Sequence, residues 1–179
     1  MRAKSKSSTT VIAMNPNASQ PLSPLQPKAD NRWFTFLVAD RCFAVDVSLV
    51  SEVLRNAALS RVPLAAPALA GLLNLRGRIV PVIDLRIRFG FSTYDRDKPR
   101  TNVVVEYCNE WYSLLVDDLL DVVTLEPHEM GTPSSERGNP QIDAVSGVLA
   151  AADSLIHFLD LERVFQPLLT SKTRGLAVG

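Results

Sequence analysis

From Arg32 onward the chain runs as a series of short apolar stretches, cut by turn residues about every eight to twelve positions, the pattern of an all-β protein. Trp33 to Val38 is dense in aromatic and β-branched residues and is expected as a strand; Asp40-Arg41 offers a turn, and Cys42 to Val45 returns as the second strand of a hairpin. Asp46 is placed to cap a short helix through Val47, Val50, Val53 and Leu54. That spacing puts the aliphatic side chains on one face and leaves Glu52 and Arg55 off it. Leu59 to Val62 reads as a brief extended piece ended by Pro63, and Pro67 closes an Ala-rich connector.

The densest patterning lies in Gly71 to Gly90, GLLNLRGRIVPVIDLRIRFG. Leu72, Leu73 and Leu75 form a strand, Gly77 between two arginines suits a turn that needs positive φ, and Ile79 to Ile83 returns antiparallel. Pro81 has no N–H to give a ladder, so this strand is expected at a sheet edge, or the proline at a bulge. Asp84 caps a helical turn through Phe89, which Gly90 ends. Ser92 to Thr101 is a polar loop. Asn102 to Tyr107, Trp111 to Val116 and Leu119 to Leu125 follow as strands, with Cys108-Asn109-Glu110 as a turn and Asp121 exposed. The Pro- and Gly-rich stretch from Glu126 to Pro140 is a long loop. Ile142 to Ala150 and Ser154 to Leu159 are the last strands, joined around Ala152-Asp153, and Asp160 caps a final helix through Leu161, Val164 and Phe165.

The strands fall into two groups on either side of the Ser92 to Thr101 loop, which predicts a mostly β architecture of two compact barrels, roughly residues 32–100 and 101–166. Each group holds too few apolar side chains for a generous core of its own, so the halves are expected to share a hydrophobic interface. Residues 1–31, rich in Ser, Pro, Asn and Lys, read as a disordered tail, and 167–179 as a C-terminal tail.

Composition adds constraints. The chain has 179 residues, 46% of them apolar, with nineteen Lys plus Arg against nineteen Asp plus Glu, so its overall charge names no polyanionic partner. Its distribution is lopsided: residues 32–100 carry eleven basic and six acidic side chains, a net of +5, while 101–165 carry two basic and twelve acidic, a net of −10. Docking between copies, or onto a partner of complementary charge, would suit that asymmetry as well as a pair of solvated faces would. Cys42 and Cys108 have no metal-ligand spacing and read as buried or half-buried thiols. A disulfide between them stays open, with a reduced, cytoplasmic protein the simpler reading. No apolar run reaches the length of a membrane helix, and the N-terminus lacks a secretory apolar segment.

Candidate chemistry is sparse. His128 sits in a Pro/Gly-rich loop, and His157 alternates with Ile156 and Phe158 in a strand. No nucleophile elbow, phosphate-cradling loop or metal-binding helix is present. Asp117 and Asp118 are adjacent, so in extended chain they face opposite sides and do not make an acid/base couple. No catalytic residue, cofactor or metal site is expected. Arg76, Arg78, Arg86 and Arg88 could form a basic stripe for single-stranded nucleic acid, but no aromatic stacking platform accompanies them. Arg76 differs from the others because it stands at a turn, where its planar fork can brace its own turn or bond across a junction.

Asp46 to Arg55, the spaced Pro63 and Pro67, and the run from Gly71 to Arg86 resemble the CheW family of chemotaxis coupling proteins. The likeness continues through Arg88-Phe89-Gly90, Leu115-Val116-Asp117, Ser146-Gly147-Val148 and Leu159-Asp160, and so spans residues 33–166. It implies two intertwined five-stranded SH3-like β-barrels around a common core, with short helices, and a non-catalytic adaptor in the cytoplasm. The implied partners are the regulatory domain of the histidine kinase CheA, the cytoplasmic tip of chemoreceptors, and other CheW-like proteins, with no nucleic acid and no direct insertion in the membrane. In such proteins the receptor tip docks between the barrels; by position in the motif, Val50, Glu52, Gly71, Asn74, Arg76 and Val103 resemble the receptor-facing residues. Arg86 and Arg88 are then expected as surface charge. Ala44 and Ser113 stand where family members often have glycine, so a slight shift of those strands is expected.

Overall fold

The computed structural model describes residues 31–92, 99–125, 131, 143–151 and 154–166. Both tails, most of the Ser92 to Thr101 and Glu126 to Pro140 loops, His128 and the Ala152-Asp153 turn lie outside these residues. Ten strands are described: β1 (Arg32–Val38), β2 (Arg41–Asp46), β3 (Val50–Arg55), β4 (Leu69–Leu75), β5 (Arg78–Asp84), β6 (Thr101–Tyr107), β7 (Glu110–Val116), β8 (Asp118–Thr124), β9 (Val145–Ala151) and β10 (Ser154–Leu159). The described residues also include a 3-10 turn at Val47–Leu49, α1 (Leu85–Arg88), α2 (161–166) and a helical residue at Asp143.

Three hairpins turn in the tight way that suits the twist of their strands, with two successive left-handed residues: Ala39 and Asp40, Arg76 and Gly77, Cys108 and Asn109. The helix expected after Asp46 does not form. Asp46 does cap, accepting from the Ser48 N–H at 2.8 Å, but the turn lasts three residues and Val50–Arg55 becomes a strand. Valines spaced for a helix face also suit a pleated edge, and pairing with β6, Val53 opposite Val103 and Leu54 opposite Asn102, settles the matter.

The ten strands make two five-stranded sheets, in the orders β8-β1-β2-β10-β9 and β3-β6-β7-β5-β4. The expected division into 32–100 and 101–166 is therefore wrong. The first sheet takes β1 and β2 from the beginning of the fold and β8 to β10 from its end, while β3 to β7 make the second. Strands pair by ladder complementarity across the whole chain, and the loop at 92–101 joins two strands of one sheet. The basic and acidic stretches of sequence are consequently interleaved in space.

The two sheets repeat one plan. Each has a hairpin at its centre and one parallel contact, β2 with β10 and β5 with β7. In each, an isolated antiparallel bridge ties the segment that follows one edge strand to the opposite edge strand, closing the sheet toward a barrel: Ser60, after β3, with Leu72 of β4, and Gly131, after β8, with Val148 of β9. The strand of each that makes the parallel contact with an earlier or later strand, β5 or β10, runs into an aspartate-headed helical turn, Asp84-Leu85-Arg86-Ile87-Arg88-Phe89 and Asp160-Leu161-Glu162-Arg163-Val164-Phe165. Both are SH3-like in outline. β5 lies inside its sheet, not at an edge as Pro81 led us to expect. Its ladder with β7 covers only Val82 to Asp84, so Pro81 stands just outside it, and no bulge is needed.

Packing explains why some strands alternate and others are apolar throughout. In β2, Phe43 and Val45 enter a core shared by both sheets, while Cys42 and Ala44 fill the interior of the first barrel with Ile156 and Phe158. In β6, Val103 and Val105 face the shared core and Val104 faces the interior of the second barrel, beside Leu73, Val80 and Val82. A strand between two cores has no polar face. The shared core is the largest of the three clusters, as expected of halves too small to stand alone. Ala44 and Ser113 are fully buried, and the Ser113 hydroxyl donates to Asn102 Oδ1 at 2.9 Å.

Candidate partner-docking surface

The surface suggested by the sequence lies at the end of the second barrel, where the β4–β5 hairpin tip comes up against β3. Arg76 and Gly77 turn the chain with φ of 52° and 81°, and Asn74 holds the turn by accepting from the Gly77 N–H at 3.0 Å. Positive φ is costly for arginine and free for glycine. The turn aims the Arg76 guanidinium across the barrel mouth to Glu52 on β3, Nη2 to Oε2 3.0 Å, with the Arg76 side chain 73% exposed and that of Glu52 26%. Next to it in the chain, Arg78 lies over the Trp111 ring, 4.5 Å from its centroid. The surface thus presents a planar cation, a carboxylate and an aromatic-backed arginine, groups able to make directional contacts.

Gly71 is buried behind this tip. A Cβ there would stand 2.6 Å from the Ser60 carbonyl oxygen, so glycine permits the bridge that closes the barrel. Val50 is half-buried at the start of β3, against the shared core. Val103 has no exposed surface: strand alternation drives it into that core, and its expected place on a docking surface is corrected to a packing role. Of the six residues, Glu52 and Arg76 meet, Asn74 braces the turn between them, Val50 flanks them, and Gly71 and Val103 act from within.

The four arginines do not make a stripe. Arg86 and Arg88, expected as surface charge, turn inward to the seam between the barrels. Arg86 Nε lies 2.8 Å from both oxygens of Asp117 and Nη2 2.7 Å from Oδ2, with side chains only 15% and 12% exposed. Arg88 donates to the Val164 carbonyl at 2.9 Å and to that of Arg163 at 2.6 Å. Arg100 meets Asp84 through two nitrogens, and Asp84 also accepts from the N–H groups of Arg86 and Ile87 as the cap of α1. Sequence reasoning missed this network because its members are far apart in the chain. The local signal available was Asp84 and Arg86 flanking an apolar position; Asp117 lies 31 residues beyond Arg86. As expected, Asp117 and Asp118 part company: the first turns inward and the second stays exposed.

Cys42 and Cys108 are free, the first buried and the second exposed at a hairpin tip, which corrects the reading of both as sheltered and rules out a bridge between them. Burial pushes the Cys42 thiol up. His157 lies half-buried against Phe43, with Nδ1 3.1 Å from the Cys42 carbonyl; burial lowers its pKa, the Cys42 carbonyl opposes and the Arg41 charge adds to the lowering. Among the described residues no group of three or more His, Cys, Asp or Glu could hold a metal, and no helix is long and apolar enough to cross a membrane.

Two barrels locked on one core, with an exposed ion pair at one tip and the inner charges occupied by one another and by backbone, define a double-barrel scaffold. The chain belongs to the family of the CheW-like domain, whose profile matches residues 32–168. It is 27% identical over 139 residues to the chemotaxis protein CheW of Bacillus subtilis, covering 76% of this chain and 88% of that one. It is also 30% identical over 98 residues to the protein PilI of Pseudomonas aeruginosa, covering 54% and 55%. Among solved structures it resembles the scaffolding protein TtCheW from Thermoanaerobacter tengcongensis, with a TM-score of 0.70 and 26% identity over 76% of this chain and 93% of that one.

Proposed function

We propose that this chemotaxis scaffold is a non-catalytic adaptor that couples the cytoplasmic tip of chemoreceptors to the regulatory domain of the histidine kinase CheA, working in the cytoplasm within receptor arrays. Family membership supports the role, and the observation that carries the receptor leg is the exposed Glu52–Arg76 pair across the mouth of the second barrel. A polar pair in water is held weakly, so a helical receptor tip can exchange its own groups for it at small cost. Val50 supplies an aliphatic neighbour, and Asn74 and Gly71 keep the tip in place. Coupling then requires only that one body hold both partners, so that a change in receptor packing biases the kinase equilibrium. Moderate affinities multiplied across an array suffice, and other CheW-like copies can share it.

The nucleic-acid reading has lost its surface, because Arg86 and Arg88 are engaged at the seam and Arg78 is laid on Trp111. The reading is tested by presenting the full chain separately to the kinase regulatory domain and to receptor-containing membranes. Retention on both is expected; retention on the kinase alone marks a competitor of the working coupler, and retention on neither overturns the proposal.

A further inference from the structure

The two helical turns occupy equivalent places in the two barrels but carry different side chains. Both begin with a capping aspartate and both send a phenylalanine into the shared core, Phe89 and Phe165. Where α1 has Arg86 and Arg88, α2 has Glu162 and Val164. Phe165 of α2 crosses to the second barrel, stacking on Tyr112 with ring centroids 4.3 Å apart, but the charged reach across the seam is one-sided. α1 is held on the second barrel by its Asp84 cap and, through Asp84, by Arg100. From there Arg86 grips Asp117, the residue at which the chain passes from β7 to β8. Asp117 belongs by its bonds to the first barrel, since its N–H donates to the Leu37 carbonyl at 2.9 Å and its carboxylate accepts from the Ala39 N–H at 2.7 Å. Arg88 grips the same barrel elsewhere, at the carbonyls of α2. Between these two arms Phe89 stacks on Phe43 of the first barrel, with ring centroids 5.0 Å apart.

An apolar seam alone resists separation but allows rotation and sliding, because hydrophobic attraction has no direction. Two charge-assisted, directional grips at separate points remove that freedom. We infer that α1 is a two-armed clamp that sets the angle between the barrels, and that Arg86 and Arg88 are positioning residues for any partner that touches both. The consequence for receptor binding rests on the coupling reading above; the clamp itself does not.

The test uses the full chain with Cys108→Ser and spin labels on Arg55→Cys in the second barrel and Leu120→Cys in the first, both exposed positions. One narrow inter-label distance distribution is expected for this background. It should broaden or split in the Arg86→Ala, Arg88→Ala double variant while far-ultraviolet circular dichroism still reports folded strands, and it should not change with Arg61→Ala, a loop charge. An unbroadened distribution in the folded double variant overturns the clamp. If the double variant does not fold, Arg88→Lys, which keeps the charge but loses the fork that spans two carbonyls, is judged by the same criterion, with partial broadening expected. Receptor-membrane retention of the same variants is expected to fall several-fold. Broadening with unchanged retention overturns the positioning role and leaves the clamp, whereas a background protein that binds neither partner overturns the coupling reading alone.

Discussion

Arg76 and Arg86 make the same bond in opposite surroundings. At the hairpin tip Arg76 meets Glu52 in water; at the seam Arg86 meets Asp117 with almost no exposed surface. The exposed pair is screened and adds about 0–1 kcal/mol, so its value is in where it holds two charged groups. The seam pair, with side chains 15% and 12% exposed, has lost most of its solvation and depends on its geometry, so removing one partner leaves a poorly solvated charge. One chemistry thus yields a replaceable contact at the tip and an irreplaceable one at the seam, and burial decides which.

That contrast can be broken most forcefully at Asp117. Asp117→Ala takes the carboxylate away from Arg86 and from Arg100 and frees the Ala39 N–H, and should lower stability by about 3–5 kcal/mol in denaturant unfolding. A loss near that of a surface pair would show that the seam charges are hydrated and the contrast false. Gly71→Ala tests whether the tip depends on backbone approach more than on charge: its Cβ must push Ser60 away, at a cost of about 1–3 kcal/mol. A smaller effect follows from His157 on the inner side. Burial holds its folded pKa below the unfolded value of about 6.5, so the unfolded chain takes up the proton first. The stability linked to this group is complete above that unfolded value and declines as pH falls through the folded one. His157→Phe should flatten that part of the stability profile between neutral and mildly acidic pH, and a parallel decline in both proteins would contradict it. The smallest effect belongs to the tip pair. Glu52→Ala, Arg76→Ala and the double variant should each change stability by less than about 1 kcal/mol, with a small coupling term in a double-mutant cycle.

The strands could be read from the chain because alternation, turn residues and caps are local. In the Gly71 to Gly90 stretch the hairpin, the Asp84 cap and the left-handed Gly77 form as their residues imply, although Pro81 does not place β5 at an edge. Two features could not be read that way. Which strands share a sheet depends on ladders such as β1 with β8 and β2 with β10, whose partners lie at opposite ends of the fold. The fate of Arg86 and Arg88 depended on Asp117 and on two carbonyls of α2, none of them near in sequence. The spacing from Val47 to Leu54 fits a helix face as well as an edge strand, and only pairing with β6 distinguishes them. Of the six residues expected to face the receptor, Glu52 and Arg76 are brought together at the surface, whereas Val103 is fully buried, because its position in the motif carries no burial information.

If the tip carries one partner-binding leg and nothing else, Arg76→Ala separates the two partners when its binding to receptor-containing membranes and to the kinase regulatory domain is measured in parallel. Receptor retention is expected to fall several-fold while kinase binding and thermal stability stay close to those of the unsubstituted chain. Equal loss on both legs, or no loss on either, would contradict that separation.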